Sequence, residues 1–148
     1  MTAREIVAAL AARGETLGCA ESLTGGLLSD AIVQVPGASR VFMGGIVAYD
    51  EGRKASLLGV RPETLRQYSA VSRQTAFEMA EGARRRLDVD YALATTGYAG
   101  PEGEDVGLVY VALAGPGGTE TRECRFAGSR PEIRRQAVQA ALDLLNIK

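Results

Sequence analysis

The segment Gly18-Cys19-Ala20-Glu21-Ser22-Leu23-Thr24-Gly25-Gly26 joins an apolar run (Thr16, Leu17, Cys19, Ala20) to a helical pattern (Leu27, Leu28, Ala31, Ile32, Val35). It therefore sets a hydroxyl at a strand-to-helix junction, where backbone N–H groups are unpaired and the helix dipole favours negative charge. Such a place suits a nucleophilic serine or a bound anion. It equally suits a hydroxyl that only caps the helix. A nucleophile also needs a base, and the chain has no histidine. That removes the Ser-His-Asp triad, the Cys-His dyad and the usual zinc sites together. Fifteen arginines supply most of the positive charge, against two lysines, Lys54 and Lys148. Arginine stays protonated, whereas a buried lysine can lose its proton. Lys54 is thus the candidate base for Ser22, set against the ordinary solvated lysine. A Ser–Lys pair is an established alternative to histidine.

Two further junctions follow the same logic. Tyr49 ends a second apolar run, and Lys54 follows it by about one helical turn. Thr95-Thr96-Gly97-Tyr98-Ala99-Gly100-Pro101 follows a third run. There glycines allow a ligand close to the backbone, and Thr96 offers a hydroxyl. Arg130 and Arg134 share one face of the last helical pattern. Arg130 falls in the first turn, where a cation opposes the dipole, which points to a carboxylate such as Glu132 or to an anionic ligand. Solvent exposure is the competing reading for both arginines.

The elements that must position these residues are legible in outline. Thr2 and Glu5 form a capping-box pattern before an apolar helix face of Ile6, Val7, Leu10 and Ala11, with Gly14 as the stop. A strand is expected near 16–20 and a helix near 24–35. A glycine-interrupted strand follows at 41–49, then a short helix capped by Asp50 and stopped by Gly59. A helical turn starts at Pro62, and a longer helix runs from Ser72 to Leu87. Tyr91 to Thr95 reads as a strand and 96–105 as a loop. Val106 to Ala114 and Thr119 to Phe126 form a hairpin about Gly115-Pro116-Gly117-Gly118. Ser129 and Glu132 repeat the capping-box pattern before a final helix ending near Asn146. The interleaving predicts an α/β fold: a mixed, partly parallel sheet covered by helices on both faces. If the first strands are parallel neighbours, their carboxyl ends bring Ser22, Tyr49 and Lys54 to one rim.

With 148 residues, 46% hydrophobic and 24% charged, the chain reads as one globular domain over 1–148. The net charge of -1 gives no electrostatic case for nucleic acid. No apolar run approaches the roughly 20 residues that span a bilayer. The N-terminal residues lack a signal-peptide pattern. Cys19 and Cys124 are far apart and in apolar runs, as expected of reduced thiols in a cytoplasmic protein. A homo-oligomer is left open.

Taken together, Ala20-Glu21-Ser22-Leu23-Thr24-Gly25-Gly26, Pro36-Gly37-Ala38-Ser39, Gly44-Gly45-Ile46-Val47-Ala48-Tyr49 with Lys54, Leu57-Leu58-Gly59-Val60 and Ala70-Val71-Ser72 resemble the CinA C-terminal domain family. Thr96-Gly97-Tyr98-Ala99-Gly100-Pro101, Val106-Gly107-Leu108-Val109-Tyr110 and Phe126-Ala127-Gly128-Ser129-Arg130 extend the resemblance in the same order over almost the whole chain. The active members of that family are nicotinamide-nucleotide amidohydrolases. The resemblance implies hydrolysis of the carboxamide of nicotinamide mononucleotide to nicotinic acid mononucleotide and ammonia, in pyridine-nucleotide recycling, with no metal and no cofactor. It implies Ser22 as nucleophile, Lys54 as its base and Tyr49 as a residue that positions the base or the ring. Thr24, Gly25, Gly26, Thr96, Gly97 and Gly100 would line the substrate, and N–H groups of the Thr24-Gly25-Gly26 turn would supply the oxyanion donors. Arg130 and Arg134 would hold the negative charge of a pyridine nucleotide.

The chain departs from the family pattern in two places. Glu51 stands where the family commonly has asparagine, and its charge acts to raise the pKa of Lys54. Glu102, Glu104 and Asp105 make the loop after Pro101 acidic, which opposes a phosphate. A relative that binds a nucleotide or regulates without turnover is the alternative. A structural partner in DNA uptake or repair, suggested by the family's name, is opposed by the net charge.

Overall fold

The computed structural model describes residues 1–147. Helix α1 (Ala3–Arg13) starts in the expected capping box, with Thr2 accepting from the Glu5 N–H, and stops at left-handed Gly14. Strand β1 (Leu17–Glu21) leads through a turn to α2 (Leu27–Val33). A one-turn 3-10 helix (Ala38–Arg40) precedes β2 (Phe42–Val47), and Asp50 caps α3 (Glu51–Leu58). Then come α4 (Pro62–Tyr68), α5 (Arg73–Leu87), β3 (Tyr91–Gly97), the hairpin β4 (Leu108–Gly115) and β5 (Gly118–Arg125), and α6 (Arg130–Leu144).

The five strands form one sheet in the order β2-β1-β3-β4-β5. The first three are parallel and the last two antiparallel, which is the mixed sheet expected from the interleaved pattern. Register places the site. Glu21 pairs with Val47 on one side and Thr95 on the other, so β1 and β2 end level and β3 runs two residues further, to Gly97. The chain then leaves β1 and β3 in opposite directions, to α2 beside β2 and to β4. In open α/β sheets, ligand sites form at such carboxyl-end crevices.

Side-chain alternation divides the core into two layers. Leu17, Cys19, Leu93, Val109 and Val111 face α1, α2 and α6, where Ile6, Leu10, Leu28, Ile32 and Ile133 pack on them. Ala20, Ala92, Ala94, Ala112 and Ala114 face the other way, onto Ala76, Met79, Ala80 and Ala83 of α5. Small residues on both partners let α5 lie close to the sheet. The same closeness brings α5 onto α3, where a Cβ added to Gly82 would stand 1.7 Å from the Leu58 carbonyl oxygen. Each fully buried leucine or isoleucine in these layers contributes about 1.5–3 kcal/mol from removing apolar area from water.

Candidate active site

Lys54 is buried because of its place on α3. Asp50 accepts from the Arg53 N–H and starts the helix, and Lys54 and Leu58, four apart, both turn inward. The amine of Lys54 reaches back to the β2–α3 connection. Its Nζ lies 2.9 Å from Ser22 Oγ, and it donates to the carbonyls of Ala48 and Tyr49, each at 3.0 Å. Lys54 is 1% exposed and Ser22 6%.

This geometry constrains the proton. Carbonyl oxygens only accept, so Ala48 and Tyr49 take two amine hydrogens. The third position, toward Ser22, holds either the last N–H of an ammonium or the lone pair of a free amine. Burial lowers the Lys54 pKa from its ordinary value, and the charges of Asp50 and Glu51 oppose that shift without reversing it. As the free base, Lys54 has one acceptor site, and the Ser22 hydroxyl is the group that faces it. The expected influence of Glu51 is present and has the expected sign, but desolvation outweighs it.

The turn from Ser22 to Gly26 is set by Glu21. Its buried carboxylate accepts from the N–H groups of Gly26 (3.2 Å), Leu28 (2.9 Å) and Ser29 (2.9 Å) and from the Ser29 hydroxyl (2.6 Å). Helix α2 therefore begins at Leu27 rather than at 24, with left-handed Gly25 and Gly26 reversing the chain. Neither Ser22 nor Thr24 caps it. Ser22 Oγ faces the amine, and Thr24 Oγ1 bonds the Thr95 hydroxyl at 2.8 Å. The Gly25 N–H donates to the Ser22 carbonyl and the Gly26 N–H to Glu21, so these two of the expected oxyanion donors are already engaged.

A cleft of about 450 Å³ opens beside this turn, lined by Leu23, Tyr49, Gly97, Tyr98, Ala99, Gly100, Pro101, Glu102 and Arg130. Tyr49 is 62% exposed, and its hydroxyl accepts from Arg130 at 3.2 Å. The Tyr49 carbonyl, not its phenol, reaches the base. Arg130 also donates to the Gly100 carbonyl, so its guanidinium is fixed across the mouth of the cleft. Thr96 is buried and donates to the Ala70 carbonyl at 2.7 Å, which places it behind the wall rather than on it. Arg134 is likewise set back. Its Nε donates to the Leu23 carbonyl at 2.8 Å and its Nη2 to the Thr24 carbonyl at 2.9 Å. The grip of Glu21 and the Ala48 carbonyl are not legible in the sequence, and Thr95 is visible there only as the first residue of the glycine-rich junction. A glutamate at the end of an apolar strand was the only visible sign of that grip.

Burial pushes both thiols up, Cys19 most strongly, so neither is a ready thiolate. Among the described residues, no group of three or more His, Cys, Asp or Glu side chains is placed to hold a metal ion. No helix among them is long and apolar enough to cross a membrane. A larger groove of about 600 Å³ lies near α5 and β5. Its polar groups largely satisfy one another: Arg61 with Glu78, Arg73 with Thr121, Thr119 with Glu81.

The CinA-like protein of Frankia casuarinae is 50% identical over 143 residues, covering 95% of this chain and 33% of that protein. The chain spans about a third of the length of the curated relatives it matches. Among solved structures, a competence/damage inducible protein from Agrobacterium tumefaciens superposes with a TM-score of 0.94 at 41% identity, covering 97% of this chain and 90% of that one. A CinA superfamily protein from Escherichia coli gives 0.93 at 35% identity, covering 97% and 86%. The CinA C-terminal domain model matches residues 1–148, and the chain belongs to that family.

Proposed function

We propose that the chain hydrolyses the carboxamide of nicotinamide mononucleotide, with Ser22 as nucleophile and Lys54 as its general base. One observation carries the reading: a buried lysine amine 2.9 Å from a serine hydroxyl, with its other two contacts on backbone carbonyls. A free amine held this way is a proton acceptor aimed at one hydroxyl, and hydrogen-bond reach is what proton transfer requires. The substrate comes from the family resemblance. The cleft is compatible with it, having aromatic residues and a guanidinium at its mouth.

In this reading, Ser22 Oγ adds to the amide carbon as its proton passes to Lys54. The proton then goes to the leaving nitrogen, and the C–N bond breaks to release ammonia. Water adds to the resulting ester, its proton moves through Lys54 to Ser22 Oγ, and the acid is released.

Glu51, whose charge acts to keep Lys54 protonated, is the feature that favours the alternative, a pocket that binds a nucleotide without turnover. One experiment separates the two. Purified protein incubated with nicotinamide mononucleotide releases ammonia, while Ser22→Ala and Lys54→Arg do not. Binding by calorimetry without ammonia from the wild type would establish the alternative. Equal ammonia from all three proteins would end the Ser–Lys assignment.

A further inference from the structure

The turn that carries Ser22 is gripped from two sides by opposite charges. Glu21 takes N–H groups at and beyond its far end, those of Gly26, Leu28 and Ser29. Arg134 takes carbonyls in its middle, those of Leu23 and Thr24. A carboxylate buried to 0% exposure with four donors and a guanidinium bridging two carbonyls are charge-assisted contacts, stronger than neutral ones.

Three of the five N–H groups from Ser22 to Gly26 are engaged. Ser22 donates to the Thr95 carbonyl at 3.1 Å, Gly25 to the Ser22 carbonyl at 3.1 Å, and Gly26 to Glu21. Among the described residues, the N–H groups of Leu23 and Thr24 have no hydrogen-bond partner. Their directions are fixed all the same, because a trans peptide points its N–H opposite to its C=O. The Leu23 N–H shares a peptide with the Ser22 carbonyl, which Gly25 holds. The Thr24 N–H shares one with the Leu23 carbonyl, which Arg134 holds. Two adjacent unpartnered donors directly after a nucleophile are what a developing oxyanion needs, provided they cannot rotate away.

The geometry points to the N–H groups of Leu23, on the cleft wall, and of Thr24, fully buried behind it, as the oxyanion hole, with Arg134 as the positioning residue that holds the peptide between them and Glu21 as the one that anchors the far end of the turn. This rests on the amidohydrolase reading. As Ser22 Oγ bonds to the amide carbon and its proton moves to Lys54, the carbonyl oxygen gains the electron pair and the charge, and both N–H groups donate to it. The same donors serve again when water adds to the ester. Arg134 then holds the catalytic turn, and Arg130 alone of the two arginines faces the cleft.

Kinetics of Arg134→Lys and Glu21→Gln test this. Lysine keeps the charge but cannot bridge two carbonyls as a planar fork does. Arg134→Lys should lower kcat about 100-fold or more, as loss of an oxyanion donor does, with KM held within about threefold and the pH limb set by Lys54 unmoved. A raised KM with kcat preserved would place Arg134 on the substrate and overturn the inference, as would unchanged kinetics or a shifted pH limb. Should the variants fail to fold, the wild type still decides. Pyridine-3-boronic acid accepts the Ser22 oxygen at boron and becomes an anionic tetrahedral adduct as the serine proton passes to Lys54. Titration followed by amide NMR should move the Leu23 and Thr24 N–H protons downfield. Movement at Gly25 and Gly26 instead, or none at Leu23 and Thr24 up to the solubility limit, would overturn it. Because the adduct needs only a nucleophilic Ser22, this result is independent of whether nicotinamide mononucleotide is the substrate.

Discussion

Thr24 and Thr95, on opposite sides of the β1–β3 crevice, share a buried hydroxyl–hydroxyl hydrogen bond of 2.8 Å. Thr95 Oγ1 also lies 3.4 Å from the Ser22 N–H, beside the stronger bond from that N–H to the Thr95 carbonyl. One side chain on β3 thus ties down both ends of the Ser22-Leu23-Thr24 step. Thr95→Val keeps the shape and removes the hydroxyl. The Thr24 hydroxyl is left buried without its partner, at a cost of about 1–3 kcal/mol. Denaturant unfolding should register that loss, and kcat should fall with it. Thr95→Ser should restore both. A valine variant as stable and as active as the wild type would show that the tie does nothing for the turn.

Lys54, as the proposed base, gives a pH dependence with a definite sign. Burial holds the Lys54 pKa below 10.5 in the folded protein. In the proposed reaction the free amine is the active form, so activity should rise with pH through that lowered pKa. Asp50 and Glu51 both act to raise it. Glu51→Gln removes one of those charges, and the acid limb of kcat/KM should move to lower pH. A limb that stays put, or moves up, would mean that Glu51 is screened from the amine.

Stability follows from the same shift. An unfolded lysine titrates near 10.4, so between the folded pKa and about that value the unfolded chain holds a proton that the folded one lacks. Stability therefore rises with pH across this window. Below it, the full cost of burying the ammonium is present. Lys54→Met should abolish the slope, and chemical unfolding at several pH values would reveal whether it does.

Arg130 bridges the Gly100 carbonyl and the Tyr49 hydroxyl at the mouth of the cleft. If it meets the phosphate of a nucleotide, Arg130→Ala should raise KM for nicotinamide mononucleotide by about 10-fold or more, the scale of a lost charged hydrogen bond, with kcat little changed. Nicotinamide riboside lacks the phosphate and should show almost no change. An equal loss with both compounds would assign Arg130 to shaping the cleft instead.

Gly82 marks the closest approach of α5 to α3. A Cβ there overlaps the Leu58 carbonyl oxygen at 1.7 Å, and backbone cannot yield as a side chain can. Alanine would gain about 1 kcal/mol of helix propensity in isolation. Overpacking costs typically about 1–3 kcal/mol and occasionally more, and a contact this short lies at the severe end. Gly82→Ala should therefore lower Tm despite its better propensity. Lys54 sits one turn before Leu58 on the displaced helix, so activity should suffer as well. A raised Tm would mean that the helices separate freely.

The fold was legible where residue type dictates backbone behaviour. Thr2 with Glu5 and Ser129 with Glu132 form capping boxes, and Asp50 and Gly59 bracket the helix that carries Lys54. The Ser22–Lys54 rim could be anticipated because strand ends and an inward helical turn follow from local pattern. The start of α2 could not. Its cap is Glu21, a strand residue whose carboxylate folds forward onto the helix, and a strand glutamate normally reads as a solvent-facing group. The partners of Lys54 at Ala48 and Tyr49 are carbonyls, which every residue possesses and no sequence distinguishes. Arg134 was visible as a cation, but its targets at Leu23 and Thr24 lie across the molecule and are again backbone.

Because the oxygens that orient the amine belong to the main chain, residue identity at 48 and 49 matters less than spacing does. Tyr49→Phe leaves both acceptors where they are. A single glycine inserted between Val47 and Asp50 leaves every side chain intact yet rotates the acceptors out of line. Loop length is thus what sets the amine against Ser22, and relatives that drift in composition at this corner should still keep its residue count.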